Sequence, residues 1–184
     1  QALSFNTTGD GNTAIGTNAL YLNSIGYSNT ASGYQALNSN SEGNQNTANG
    51  VQALSSNTTG NSNTSTGFQA LYNNTTAHFN TANGYQALYS NTDGYDNTAN
   101  GTEALFNNTT GGNNSALVYR ALYNNVDGGN NVALGVRALQ QNISGNLNTA
   151  IGFRALNNNT VNNNTATGYE ALYNNTTGDA NTAN

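Results

Sequence analysis

The apolar residues of this chain recur with a fixed period. An Ala-Leu pair returns every 17 residues from Ala19-Leu20 to Ala155-Leu156, and once more at Ala171-Leu172 after a single step of 16. A polar frame repeats around it. Asn12, Asn29, Asn46, Asn63, Asn80, Asn97, Asn114, Asn131 and Asn148 open successive units, Asn164 comes one residue early, and Asn181 follows at 17. The unit reads N-T-A-x-G-(Tyr/Phe/Val/Thr)-x-A-L-x-x-N-T-x-G-x-x, with positions one to seventeen. A disordered tract can be repetitive, but it has no reason to hold Leu and Gly at constant phase, so successive units are expected to stack.

Seventeen residues are too few for a pair of packed helices, which need about 33 to 47. Two glycines per unit and many Asn and Thr lower helix propensity further. Two short strands per coil are therefore predicted. The first is Asn80–Tyr85 in the fifth unit and the second Ala87–Asn91, with a return turn over Thr92–Asp96. Gly at position fifteen is expected to supply a positive φ in that turn. In the short unit Thr160-Val161-Asn162-Asn163 stands there, and Asn tolerates the left-handed region next best. Alternation fails between positions seven and nine, which predicts a bend. The predicted fold is all-β, a parallel β-solenoid of 17-residue coils, with residues 1–184 forming one array of about eleven coils cut from a longer repeat protein.

Stacking places identical residues above one another, about 4.8 Å apart. Asn23, Asn40, Asn57, Asn74, Asn91, Asn108, Asn125, Asn142, Asn159 and Asn175, all at position twelve, then form a column of amides. Each amide can donate to one neighbour and accept from the other. Leu20, Leu37, Leu54, Leu71, Leu88, Leu105, Leu122, Leu139, Leu156 and Leu172 form an apolar column, and the Asn at position one a second polar one. One Leu, two Ala and part of one or two aromatics are a small apolar load for a coil, against about 1–2 kcal/mol of backbone entropy per residue. Several chains sharing one core are therefore expected. The shared contact would be either the aromatic column (Tyr34, Phe68, Tyr85, Tyr119, Phe153, Tyr169) or the Ala/Gly face.

Composition narrows the function. Only 6% of residues are charged, against about 25% in ordinary soluble domains. Net charge is -5, with three Arg and no Lys or Cys. A basic nucleic-acid face, thiolate metal sites and a lysine-bearing phosphate loop are thereby excluded as readings. No apolar run reaches the 18 or more residues of a transmembrane helix. No catalytic or cofactor-binding constellation is present, so an enzyme is not expected. His78 is the one histidine and reads as a solvent-exposed turn residue. The turn acids Asp93, Asp96, Asp127 and Asp179 read as turn formers, with Asp127-Gly128-Gly129-Asn130 as a weaker calcium-loop alternative. Arg120, Arg137 and Arg154 share position seven of three consecutive coils, flanked by Glu103 and Glu170. They read as a solvated strip capped by two Glu–Arg pairs, or as a candidate anion contact for an acidic glycan or a neighbouring chain's carboxylates. The N-x-S/T sequons at Asn6, Asn57, Asn74, Asn108, Asn142 and Asn175 read as products of Asn-Thr richness, or as glycan acceptors if the Asn column is exposed.

The segments Asn12–Gly16 and Asn148–Gly152, both N-T-A-I-G, resemble the N-S-V-A-I-G core of trimeric autotransporter adhesin heads. The full unit, as at Asn80–Asp96, is also similar to repeats of phage tail fibres and bacterial surface proteins that precede a self-cleaving chaperone domain. The resemblance implies a left-handed β-roll, a homotrimer and an extracellular or virion-surface location. The unit here is longer and lacks the Val. The functional expectation is a structural fibre or filament shaft whose partners are copies of itself. The alternative is an adhesin binding glycans through outward polar and aromatic ladders. A Thr ladder at position two also suits ice, but Ser115 and Val132 interrupt it.

Overall fold

The computed structural model describes residues 1–184. It contains eleven short strands and no helix: β1 (Thr13–Ile15), β2 (Thr30–Ser32), β3 (Thr47–Asn49), β4 (Thr64–Thr66), β5 (Thr81–Asn83), β6 (Thr98–Asn100), β7 (Ser115–Leu117), β8 (Val132–Leu134), β9 (Thr149–Ile151), β10 (Thr165–Thr167) and β11 (Thr182–Ala183). They form one parallel sheet in chain order. Each strand meets the next in the register of the repeat, Thr81 beside Thr98 and Ala82 beside Ala99. The early Asn164 does not disturb this, since Thr149 pairs with Thr165. The chain is a β-solenoid. We number its coils from the position-one Asn: coil 1 is residues 12–28, coil 5 is 80–96, coil 7 is 114–130, coil 8 is 131–147, coil 9 is 148–163 and coil 10 is 164–180.

Each coil has one strand, not the two expected. Ala87–Asn91 is not a strand, and Ala87–Ser90 is a turn, because the residues on either side of Ala87 are left-handed: Gln86 has φ 52° and Leu88 φ 51°. The same pair of values recurs in neighbouring coils, so the bend inferred between positions seven and nine is two left-handed residues. A left-handed non-glycine costs about 1–2 kcal/mol. At position nine the cost is offset by full burial of Leu, worth about 1.5–3 kcal/mol. The turn still stacks: the Leu88 N–H donates to Ala104 O and the Ser90 N–H to Phe106 O, both at 3.0 Å. Of 118 backbone–backbone hydrogen bonds only 20 lie within the strands, so stacked turns carry most of the ladder.

The glycine expectation also needs correction. Position fifteen is not left-handed. In coil 5 it is small because the coils touch there: a Cβ on Gly94 would lie 2.4 Å from Gly111 O and 2.5 Å from Asn91 Oδ1. The left-handed residue of the return turn is at position seventeen, Asp96 in coil 5 with φ 53°. Asn163 takes that place in coil 9 with φ 60°, and so is not a special device of the short unit. What coil 9 lacks is position fourteen.

The core runs along the axis of one chain. Ala at positions three and eight and Leu at nine are fully buried from Ala19 to Ala166. The Ala column is therefore consumed inside the chain and cannot be the contact between chains. The other half of the interior is polar, made of the Asn residues at positions one and twelve.

Candidate functional site

The position-twelve amides form the column that stacking implies. Asn91 Nδ2 donates to Asn74 Oδ1 at 3.0 Å and to Gly94 O at 2.9 Å, while Asn91 Oδ1 accepts from Asn108 Nδ2 at 2.8 Å. The chain of amides runs from Asn6 to Asn142 without interruption. It breaks at coil 9. There Asn159 Nδ2 turns to Val161 O at 2.7 Å, and Asn142 Oδ1 is left buried without a partner. The ladder resumes between Asn175 and Asn159 at 3.0 Å. Asn57, Asn74, Asn108 and Asn142 are fully buried, so the folded rod offers these sequons no free amide for a glycan.

The position-one column is built differently. Each Asn Oδ1 accepts the backbone N–H of the Asn one coil on, as in Asn97 to Asn80 at 3.0 Å. From coil 1 to coil 9 each Nδ2 closes its own coil by donating to the position-fifteen carbonyl, as in Asn80 to Gly94 at 2.8 Å, whereas Asn164 Nδ2 donates back to Asn162 O at 2.9 Å. In those nine coils both Asn columns converge on one carbonyl, as on Gly94 O in coil 5. A third acceptor column, at position sixteen, was missed in the sequence. The Asn61 N–H donates to His78 Nδ1 at 2.9 Å, where Asn61 Oδ1 and Asn162 Oδ1 do the same for Asn44 and Asn146. His78 is accordingly a half-buried structural acceptor, not a free turn residue. The signal was present: position sixteen holds acceptor side chains at Asn44, Asn61, His78, Asn146, Asn162 and Asp179.

Position seven carries the chain's entire positive charge. In coils 2 to 5 it is a glutamine ladder, with Gln52 Nε2 donating to Gln35 Oε1 at 2.9 Å and Gln86 to Gln69 at 2.8 Å. Glu103 then meets Arg120 at 2.5 Å, and Arg154 meets Glu170 at 3.3 Å. The Glu103 hydrogen bond, assisted by its charge, raises the pKa of Arg120. Arg120 also lies over the Tyr119 and Tyr123 rings and Arg154 over Phe153. Arg137, between them, forms no ion pair.

Aromatic rings line the outside. Tyr72, Tyr89, Phe106 and Tyr123 stack face to face at position ten, with centroids 5.1–5.3 Å apart. At position six Phe68 stacks on Tyr85 and Phe153 on Tyr169. Two shallow clefts open on the surface. One of about 350 Å³ lies among Thr76, His78, Phe79, Asp93, Tyr95 and Asp96. The other, about 400 Å³, follows the Asn107–Asn124–Gln141 amides. Nowhere do three or more His, Asp or Glu side chains converge as metal ligands, the Asp127 turn included. No helix is long and apolar enough to cross a membrane. No protein-family model, curated protein or solved structure matches the chain.

Proposed function

We propose that the chain is a structural, non-catalytic shaft segment of an extracellular or virion-surface fibre. The observation that carries this reading is the in-register stack, in which every strand meets its copy in the next coil. Ten parallel steps of about 4.8 Å make a rod on the order of 50 Å long. A shaft needs length and resistance to bending. Continuous ladders of backbone and side-chain hydrogen bonds supply both, because bending must stretch every column on one side.

Self-association, including the homotrimer implied by the adhesin-head resemblance, belongs to the same proposal. The position-six rings support it, since Tyr34, Tyr85 and Tyr169 are 48%, 48% and 74% exposed on a single chain. The stacking of the position-ten rings favours the shaft over the glycan-binding adhesin. Sugars pack on ring faces, and stacked rings turn those faces toward each other and leave edges outward. Antibody labelling of the producing cell or particle in the electron microscope tests the assignment. Label along thin surface filaments is the expected result. Label confined to a soluble interior pool would overturn it.

A further inference from the structure

Charge is sorted between two edges of the coil. Every positive group lies at position seven, in coils 7, 8 and 9. Six of the eight carboxylates (Asp10, Glu42, Asp93, Asp96, Asp127 and Asp179) lie at positions fourteen to seventeen, on the return turn. The other two are Glu103 and Glu170, which pair with Arg120 and Arg154. Positions seven and fourteen to seventeen lie on either side of the strand, so each rod has a cationic edge and an acidic edge.

A second departure from the repeat falls in the same three coils. Position four, beside the arginines on the outer strand face, is Ser, Asn or Thr in coils 2 to 6 and 10. It is apolar at Ile15 in coil 1, and over the three consecutive coils 7, 8 and 9 as Leu117, Leu134 and Ile151. Leu134 is 43% and Ile151 38% exposed. A cationic strip and an apolar strip thus arise together where a spacer gains nothing from either. Stacked arginines about 4.8 Å apart repel, and Arg137 has no carboxylate on its own chain. The acidic edge is densest at the cleft holding Asp93 and Asp96, whose Phe79 and Tyr95 rings are 60% and 50% exposed. That cleft offers carboxylates for the unpaired Arg137 and apolar surface for the exposed Leu134.

We propose that a second copy of this chain docks edge to edge on the first, with Arg137 and the Leu134 ridge of one copy against the Asp93–Asp96 cleft of the next. The proposal rests on the rod reading, since it needs straight edges. The contact is heterologous: each copy offers a different face to each neighbour. Repeated, such a contact closes into a ring or continues as an open array.

The repeat supplies variants that keep the fold. Arg137→Gln installs the residue found at position seven in coils 2 to 5, and Leu134→Asn that found at position four in coils 3, 5 and 6. Asp93→Asn with Asp96→Asn removes the acidic face. Sedimentation velocity of the full chain up to about 100 µM, in the affinity range of weak specific complexes, reads the outcome. The wild type is expected to associate, more weakly at high salt. R137Q/L134N alone and D93N/D96N alone are each expected to stay monomeric. Mixed one to one, they should form a dimer and nothing larger, because each supplies the face the other has lost. A monomeric wild type would overturn the proposal, as would variants that associate undiminished or a mixture that stays monomeric. Small-angle scattering on the same samples separates the two readings. A monomer that remains a rod about 50 Å long leaves the shaft standing, whereas a compact or disordered monomer removes both.

Discussion

Replacing Asn91 with Ala should cost far more than replacing Asn159 with Ala, although both side chains are fully buried. At Asn91 the ladder is intact. Its loss strands Asn74 Oδ1, whose donor is Asn91 Nδ2. Leaving a buried acceptor without a partner costs about 1–3 kcal/mol, and the lost bond from Asn108 adds about 1 kcal/mol. Gly94 O keeps Asn80 Nδ2 and is not orphaned. The sum is about 3 kcal/mol. At Asn159 the ladder is already broken. Asn142 Oδ1 has no donor to lose, Val161 O keeps Asn148 Nδ2, Asn175 Nδ2 keeps Gly178 O, and Asn164 Nδ2 loses its 3.3 Å bond to Asn159 Oδ1 but keeps Asn162 O. No buried atom is newly stranded, so the cost falls to about 1–2 kcal/mol. Repeat arrays open locally, so the assay is native-state amide exchange read coil by coil rather than one global transition. The Leu88 and Leu105 amides, which donate to Ala104 O and Ala121 O, should exchange about 100-fold faster in N91A. The Leu156 amide should exchange about tenfold faster in N159A. Equal effects in the two variants would refute the view that an unbroken amide column, rather than burial alone, stabilises the stack.

Two further outcomes follow from the same geometry. Inserting a Thr after Thr160 together with Val161→Gly restores position fourteen and the Asn-Thr-Thr-Gly turn. Asn159 then reaches Asn142 Oδ1, and protection of coils 8 and 9 in amide exchange should rise by about 1 kcal/mol, the orphan penalty less the entropy of one added residue. Val118 stands where every other coil has Gly and is held at φ 77°. Strain at such a β-branched residue costs about 1–3 kcal/mol, more than the entropy lost by glycine, about 0.5–1 kcal/mol. Val118→Gly should therefore stabilise coil 7 by about 1 kcal/mol in dilute solution, where exchange of neighbouring amides checks it; destabilisation would remove the strain argument.

Much of this molecule is set by its period alone. In a parallel stack each residue lies on its own copy, so a fixed spacing of Asn and of Leu already implies the amide column, the apolar column and the side-by-side arginines. Leu at position nine could be read as buried for the same reason. The number of strands could not be read, because Gln86 and Leu88 are left-handed against their intrinsic preference. They are held there by burial of Leu and by turn bonds to the neighbouring coils, which exist only once coils stack. The role of Gly94 was likewise hidden: it is small because another coil's carbonyl lies against it, not because its own φ demands it. The sequence shows that coil 9 is one residue short, but only the tertiary structure decides that the missing residue is position fourteen and that the loss falls on Asn142. A deletion can be absorbed at any point of a flexible turn. Here the backbone keeps its register on both sides, so the mismatch is left to the one interior side chain with no alternative donor.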